Sequence, residues 1–564
     1  MEWRILSKIK DQRSKIKVND VVGLLLENRG VKTEKEKEEF FEPIHPKDLS
    51  LKELGISEKE NKKAIERIKK AINTDEKIIV YGDYDADGIC GTAILWETVY
   101  GFHKDTLPYI PERFSEGYGL NIESISRLKS QNSKLGLIIT VDHGIVADKK
   151  VDFANELGVD VIITDHHTVG KTKPKSFATI HTTKIGGAAV AWIFAREIKK
   201  KLQTSNGSAR SPSGLELAAI GTIADQLPLV GPNRSFAKYG LQVLNSTKRE
   251  GLLVLFDTAG IRKESIGTYE VNFVIAPRIN AMGRMEHAIE SLRLLCTKNR
   301  KKAKELALHL NKVNLDRQKV LEEIVLHALR QTQGKPPTGV IIVSHESYHE
   351  GVIGLAASRL VEEFYRPAIV LSKKGEIAKA SARSIPGFNI IETIRKLDEF
   401  LIEGGGHPMA AGFSIETQKL EVFSRRLEEI SQPLLTEELL TKKLRIDLEM
   451  EFSQINYELA EKVLEFEPTG IGNPTPAFAT KGVQVLGARL IGSNGKHLKL
   501  KLRQESQDFS AIAFNMGNLF TQTGPGTNID IAYNLEENIW NGNKNLELKI
   551  KDIKIIQPAL PAGR

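Results

Sequence analysis

Four segments of this chain run apolar residues straight into aspartate or histidine, and this repetition restricts the fold more than any other feature. They are Ile78-Ile79-Val80-Tyr81-Gly82-Asp83-Tyr84-Asp85-Ala86-Asp87-Gly88, Leu137-Ile138-Ile139-Thr140-Val141-Asp142-His143-Gly144, Val161-Ile162-Ile163-Thr164-Asp165-His166-His167 and Ile220-Gly221-Thr222-Ile223-Ala224-Asp225. Short β-branched apolar runs are what strands buried on both faces of a parallel sheet look like. In open α/β sheets the loops after the carboxyl ends of the strands form the ligand crevice. Read as four strand ends, the acidic segments are expected to converge on one site.

The residue types at those ends point to a divalent metal. Asp83, Asp85 and Asp87 crowd three carboxylates together, which repel unless a cation neutralises them, although aspartate clusters also serve turns and helix caps. A calcium loop of the EF-hand kind would need Glu at the position held by Ile94. Asp142, Asp165, His166, His167 and Asp225 extend the set, and carboxylate mixed with imidazole suits Mn²⁺ or Mg²⁺ better than a thiolate metal. Cys90 and Cys296 are the only cysteines, too few for a disulfide framework or a cysteine zinc site, so a reducing compartment is expected.

At 564 residues the chain is expected to form several domains. Its net charge of +8 fits a polyanionic partner and fits an ordinary soluble surface equally well. The opening Met1-Glu2-Trp3-Arg4-Ile5-Leu6-Ser7-Lys8 breaks its apolar positions with charges, and no apolar run approaches membrane-spanning length. A cytoplasmic protein without a membrane partner is expected.

Patterning divides the chain. Residues 1–70 have helical spacing and read as a helical N-terminal segment. Residues 71–300 alternate strand and helix, with helices expected over Ile89–Tyr100, Asn121–Ser130 and Lys149–Leu157, and Ser205 to Gly214 read as a turn-rich loop inside that domain. A long helix over 301–335 carries Leu306, Leu310, Val313, Leu315, Val320, Ile324 and Leu329, and Gly334-Lys335-Pro336-Pro337 is expected to end it. A second α/β unit spans 336–440 from Val340-Ile341-Ile342-Val343. Residues 441–564 read as a small β-barrel, clearest in the alternation His497-Leu498-Lys499-Leu500-Lys501-Leu502 after the turn Asn494-Gly495. Phe466 to Pro474 reads as a rigid entry loop to that barrel.

Asp165-His166-His167 with the other acidic segments resembles the DHH phosphoesterase superfamily. The remaining motifs resemble its bacterial single-stranded-DNA exonucleases: Ala276-Pro277-Arg278-Ile279-Asn280-Ala281-Met282-Gly283-Arg284, Glu350 to Leu360, Ser381-Ala382-Arg383-Ser384-Ile385-Pro386-Gly387-Phe388-Asn389 and Gly404-Gly405-Gly406-His407-Pro408-Met409-Ala410-Ala411-Gly412. The resemblance covers about residues 70–560. It implies an α/β fold in which a parallel-sheet DHH domain and a second, DHH-associated substrate-binding domain are joined by the long helix and followed by an oligonucleotide-binding (OB) barrel.

The resemblance also implies two divalent ions, Mn²⁺ or Mg²⁺, bridged by Asp142, with Asp85 on one and Asp87, His166 and Asp225 on the other. Asp142, His166 and His167 would be the catalytic residues, with His167 meeting the scissile phosphate, while Asp83 and Asp165 support them from behind. The superfamily's pyrophosphatases carry histidine where this chain has Tyr81, which would leave the first ion with fewer protein ligands. Ser381 and Arg383 resemble contacts to a 5′-terminal phosphate, and Arg284 is a further phosphate contact on the strength of its bidentate guanidinium. Gly404, Gly405, Gly406 and His407 would bring backbone N–H groups and a ring donor to the strand, although a glycine run serves equally as a plain turn. In the barrel, Lys496, Lys499 and Lys501 with aromatics such as Phe509, Phe514 or Trp540 would suit a single strand, although most of those aromatics are expected in the core and none is named as a base platform.

The expected activity is 5′→3′ hydrolysis of single-stranded DNA to 5′-mononucleotides in recombination and repair, with a helicase and a single-strand-binding protein as candidate partners. Two alternatives stay open. One is a phosphodiesterase of short oligonucleotides or cyclic dinucleotides, and the other a non-catalytic nucleic-acid-binding scaffold.

Overall fold

A computed structural model describes residues 1–8, 17–202, 213–331, 339–540 and 543–556. The chain divides into two compact units: residues 44–227 with 235–441, and residues 1–43 with 228–234 and 442–564. The loop expected at Ser205 to Gly214 falls largely outside the described residues, and Gly334 to Pro337 falls outside them entirely.

The larger unit opens on a five-stranded, all-parallel sheet. Its order is Thr106–Tyr109, Lys77–Gly82, Leu135–Val141, Asp160–Asp165, Ala178–His181. Ile78, Ile79, Val80, Ile138, Ile139, Ile162 and Ile163 are all buried, as continuous apolar strands covered on both faces must be. The helices Ala86–Phe102, Ile122–Gln131 and Asp148–Glu156 lie where alternation places them. In sequence terms the strand order is 2-1-3-4-5, so the chain reverses direction across the sheet between Lys77–Gly82 and Leu135–Val141. That reversal is the ligand crevice of doubly wound sheets.

One of the four acidic segments is not a strand. Leu215–Ala224 is an α-helix with Asp225 at its C-cap, packed against Ala86–Phe102. Its residues are buried all round, which removes any amphipathic period, and a short apolar run of that kind cannot be told from a strand by periodicity. Leu215, Glu216, Leu217, Ala218 and Ala219, good helix formers just upstream of Ile220, carried the missing signal.

The long helix is Arg300–Gln331. It packs Leu306, Ala307, Leu310 and Val313 toward the helices Glu250–Ala259, Ala276–Met285 and Ile289–Cys296, and sends Ile324 and Ala328 into a core with Ile341, Val343, Val352 and Val370. Leu315, expected among its apolar contacts, is exposed. The helix therefore joins the parallel sheet to a second five-stranded sheet of order Leu401–His407, Ala410–Glu416, Ile377–Arg383, Ala368–Lys374, Ile341–His345, in which only the last pair is parallel.

The smaller unit is a barrel. Phe478–Ile491, His497–Gln504, Gln507–Ala513, Asn543–Ile555 and Asn528–Trp540 close on themselves because Phe478–Ile491 also pairs with Asn528–Trp540. Lys443–Glu449 adds to its edge, and Glu2–Lys8 pairs parallel to that strand. The helical expectation for the N-terminal segment is corrected at its start. Trp3 and Ile5 alternate with Arg4 and Leu6 and pack into a small cluster with Leu444 and Ile446, a strand pattern too short to weigh against the helical spacing that follows.

Two of the three barrel lysines have acidic neighbours. Lys499 pairs with Glu547 and Lys501 with Asp508, both across strands. Phe509 packs against Phe452 at 5.0 Å, whereas Phe514 is exposed beside His497. The side chain of Trp540 lies outside the described residues. The entry loop is held from within by Asn473, whose Nδ2 donates to the carbonyls of Phe466 at 2.7 Å and Pro468 at 3.0 Å.

Candidate metal centre and phosphate pocket

Asp83 and Asp142 follow the two strands that flank the sheet's reversal, since Gly82 pairs with Val141. Asp142 turns out of its strand with φ +67, a left-handed conformation that aspartate tolerates better than most side chains. Asp85 caps the helix Ala86–Phe102, its Oδ1 accepting the N–H groups of Asp87 and Gly88 at 3.0 Å each. Asp87 faces the start of another helix, accepting Gly187 N–H at 2.7 Å and Ala188 N–H at 2.9 Å. Both carboxylates are thus oriented by helix N-termini, where negative charge is favoured.

Around these acids the structure gathers His166 and Asp225. Nε2 of His166 lies 3.1 Å from Asp142 Oδ1, 3.6 Å from Asp225 Oδ2 and 3.9 Å from Asp87 Oδ2. Three groups of donors have ligand atoms within 4.8 Å of one another: Asp83, Asp85 and Asp142; Asp87, His166 and Asp225; and Asp142, His166 and His167. Asp142 is common to two of them. Asp83, expected behind the ligands, has a carboxylate oxygen within 4.8 Å of those of Asp85 and Asp142. The Tyr81 ring is buried in the sheet core and its hydroxyl donates to the Gly119 carbonyl at 3.2 Å.

The electrostatics fit a cation. Burial and the neighbouring carboxylates raise Asp83, Asp87 and Asp142 well above the ordinary carboxyl range, and Asp225 is pushed up to about 7 by burial and Asp85. Burial lowers His166 to about 4, keeping it neutral and able to ligate. Oδ1 of Asp142 is buried and accepts no hydrogen bond from the described residues. Buried, mutually repelling carboxylates with an orphaned oxygen and a neutral imidazole match the donor set of hard divalent ions.

Asp165 is committed elsewhere. It accepts Ile145 N–H at 2.9 Å, the N–H groups of His166 and His167 at 2.7 and 3.0 Å, and His167 Nδ1 at 2.8 Å. Burial alone would raise its carboxyl, but these bonds hold it well below the usual range, and the same contact raises His167. His167 is thereby held through Nδ1.

A second cluster is cationic. Arg284 ends the helix Ala276–Met285 and is pulled down to about 10 by burial and by repulsion from Arg113 and Arg317, with Asp85 opposing. Arg383 Nη1 donates to Ser381 Oγ at 3.1 Å, and a side chain at Gly354 would meet that Oγ at 3.0 Å and Nη2 of Arg383 at 3.1 Å. Half-buried guanidinium groups with no carboxylate paired to them among the described residues are suited to an anion. Gly404, Gly405, Gly406 and His407 form an exposed edge strand, not a turn. Gly405 shares a row of the sheet with Ser381 through Gly412, and His407 shares one with Arg383 through Ala410.

Sequence reasoning missed several residues that build this site. Asn280 Oδ1 accepts Ala86 N–H at 2.7 Å and ties the acidic loop to the Arg284 helix. Tyr118 donates to the Asp142 carbonyl at 3.2 Å, and Arg113 lies 5.1 Å over the Tyr84 ring. Gly187 and Gly221 leave room for the carboxylates, because a Cβ at either would fall 2.3 Å from Asp142 Oδ1 or 2.2 Å from Asp87 Oδ1. Asn280 lay inside a motif already singled out; Gly187 and Gly221 carried no local signal.

A doubly wound sheet with acids and a histidine pair at its reversal, joined by a helix to a mixed second lobe, defines a metal-dependent phosphoesterase of the DHH kind. Residues 77–222 match the DHH family, N-terminal domain, residues 338–432 the DHHA1 domain and residues 446–552 the RecJ OB domain. The chain belongs to the RecJ family. It is 36% identical to the single-stranded-DNA-specific exonuclease RecJ of Bacillus subtilis over 98% of this chain and 71% of that one, and 30% identical to that of Salmonella typhimurium over 94% and 95%. The crystal structure of RecJ in complex with Mn²⁺ from Thermus thermophilus superposes with a TM-score of 0.80 at 29% identity, covering 99% of this chain and 80% of that chain.

Proposed function

We propose that this protein is a metal-dependent 5′→3′ exonuclease that degrades single-stranded DNA to 5′-mononucleotides in recombination and repair. One observation carries the reading: in a single compact unit, two donor groups share Asp142 while an arginine pocket for a phosphate stands beside Asp85. The curated relatives are named single-stranded-DNA-specific exonucleases, and solved relatives hold Mn²⁺ or Mg²⁺.

Asp83, Asp85 and Asp142 would hold one ion, and Asp87, Asp142, His166 and Asp225 the other. Bound there, divalent ions supply Lewis-acid charge for the phosphate and a more acidic water near neutral pH. The protein's own groups do the rest. Arg284, Arg383 and Ser381 take the 5′-terminal phosphate, which sets the next phosphodiester at the acidic loops and so makes the product a mononucleotide. His167, oriented by Asp165, donates to the scissile phosphate. Asn280 keeps the acidic loop in register with Arg284, so that binding and cleavage stay a fixed distance apart.

No described helix is long and apolar enough to cross a membrane. We place the protein in the cytoplasm, acting with a helicase and a single-strand-binding protein that supply and hold its substrate.

The test is digestion of end-labelled single-stranded DNA with Mn²⁺ or Mg²⁺ beside an Asp142→Ala control. Mononucleotides released from the 5′ end by the wild type alone are expected. Release from the 3′ end, or a preference for dinucleotides over long strands, would overturn the reading in favour of a short-oligonucleotide phosphodiesterase. Equal activity in the control would remove Asp142 from the centre.

A further inference from the structure

Tyr269 and Phe273 are large aromatic side chains left 65% and 66% exposed, and their rings lie together, centroids 5.0 Å apart and tilted 36°. Phe273 sits in a π-helical turn, Val271–Ile275, that joins Thr268–Glu270 to Ala276–Met285. Such turns are rare and concentrate at functional sites.

The pair is continuous with the metal centre. Between the two rings in sequence, Asn272 accepts a hydrogen bond from Gln226 at 2.7 Å. Gln226 follows Asp225 directly and is itself held at φ +57. Toward the other end, the same helix carries Asn280, bound to the acidic loop, and Arg284 of the phosphate pocket. At 1.5 Å per residue Phe273 stands about 16 Å along the axis from Arg284.

The size of the patch selects its occupant. Two rings exposed by two-thirds offer roughly 250–300 Å², far below the ~800 Å² per partner of a stable protein interface. Glu270 and Asn272 beside them, half-buried and polar, do not extend it into an apolar face. It is large enough for one or two nucleobases, which stack on aromatic rings without sequence preference.

We propose that Tyr269 and Phe273 form a nucleobase-stacking platform for the single-stranded substrate, set back from the metal centre on the helix that carries Arg284; this rests on the exonuclease reading. The platform serves long strands and is out of reach of the shortest ones.

The experiment compares the full-length wild type with Y269A/F273A and Y269W/F273W. Affinity for a long 5′-phosphorylated strand is read by fluorescence anisotropy, and kcat and KM on that strand and on a 5′-phosphorylated dinucleotide are measured separately. The alanine pair is expected to weaken long-strand binding and raise its KM by about tenfold with kcat unchanged, to leave the dinucleotide alone, and to be rescued by tryptophan. An abasic strand should bind the wild type as weakly as it binds the alanine pair. Equal long-strand affinity in wild type and alanine pair would overturn the platform and leave the rings to a protein partner. Equal losses on both substrates would overturn it in favour of a structural role. A wild type that binds strands but does not degrade them would refute the exonuclease reading, and the platform would then stand or fall on the affinity ratio alone.

Discussion

Nε2 of His166 lies 3.1 Å from Oδ1 of Asp142, an oxygen that is buried and accepts no hydrogen bond from the described residues. His166 is neutral at physiological pH because burial lowers its pKa to about 4, so it cannot relieve the carboxylate as an ion-pair partner. With Asp142 ionised and His166 in the tautomer that leaves Nε2 bare, both groups aim lone pairs at one space. An isolated protein gains nothing from that arrangement.

Asp142→Asn therefore separates function from stability. Asparagine keeps the left-handed backbone and removes one charge from a crowded, buried set, so the metal-free variant is expected to melt about 2 °C above the metal-free wild type. Mn²⁺ should raise the melting temperature of the wild type and not of the variant, by the linkage between binding and folding. Activity should fall more than about a hundredfold, beyond the cost of losing an outer-shell partner. A variant that Mn²⁺ still stabilises fully would place the ion elsewhere.

Gly187→Ala tests the room left for the same carboxylate. Its Cβ would sit 2.3 Å from Asp142 Oδ1, and the backbone N–H of Gly187 also holds Asp87. Overpacking of this kind costs about 1–3 kcal/mol. A drop in kcat of at least tenfold is expected with the circular dichroism spectrum retained. Wild-type kcat would mean that the carboxylate can move aside freely.

The contrast between these two residues marks what could be seen in the chain itself. Asp142 was legible because a strand buried on both faces and an acid at its carboxyl end are both local patterns, and the same holds for Asp85, Asp165 and His166. Gly187 was not, because a steric requirement set by a residue 45 positions away leaves no trace beside it. Asp225 was expected beside the other acids for a mistaken reason: its segment is a helix, and only the wholly buried surroundings made it look like a strand. Glu2–Lys8 was misread because its partner, Lys443–Glu449, lies at the far end of the chain. Non-local pairing is what local periodicity cannot carry.

Glu116 gives the loop above the site a pH dependence. Burial alone would raise its carboxyl, but hydrogen bonds from Tyr109 at 2.7 Å, Glu112 N–H at 2.8 Å, Ser124 at 2.9 Å and the Arg127 guanidinium bring it below the ordinary value. A depressed folded pKa contributes stability above the unfolded value of about 4.3, and that stability is lost as pH falls through the folded pKa. Wild type should therefore melt above Glu116→Gln at pH 6, with the gap narrowing as pH falls below the unfolded value of about 4.3 and through the lowered folded pKa. A gap that does not change with pH would show that the carboxylate's charge is not what holds the loop.

Arg234 is buried in the smaller unit with no carboxylate paired to it among the described residues. It donates to the carbonyls of Phe40 at 2.6 Å, Phe466 and Pro468 at 3.1 Å and Glu467 at 2.9 Å, and its guanidinium lies 4.1 Å over the Phe40 ring. Burial lowers it to about 10, so it stays charged. Arg234→Met fills the volume but orphans these carbonyls, each costing about 1–3 kcal/mol when buried. A loss of at least ~3 kcal/mol in urea unfolding is expected. A loss below 1 kcal/mol would mean that water replaces the guanidinium.

Arg383 should decide which 5′ ends are accepted. Its guanidinium is desolvated, bonded to Ser381 Oγ and to the Ala382 carbonyl, and has no carboxylate beside it among the described contacts. A dianionic terminal phosphate is a better match to such a group than a hydroxyl, and bidentate contact is geometry that lysine cannot reproduce. Arg383→Ala is expected to raise KM for 5′-phosphorylated strands by about 10–100-fold while leaving 5′-hydroxyl strands nearly unchanged, so that the preference between them collapses. Arg383→Lys should recover only part of it, since the charge returns without the fork. The two substrates compared in parallel separate this pocket from the metal centre: a variant equally impaired on both would place Arg383 at the scissile phosphate, next to His167, and not at the strand terminus.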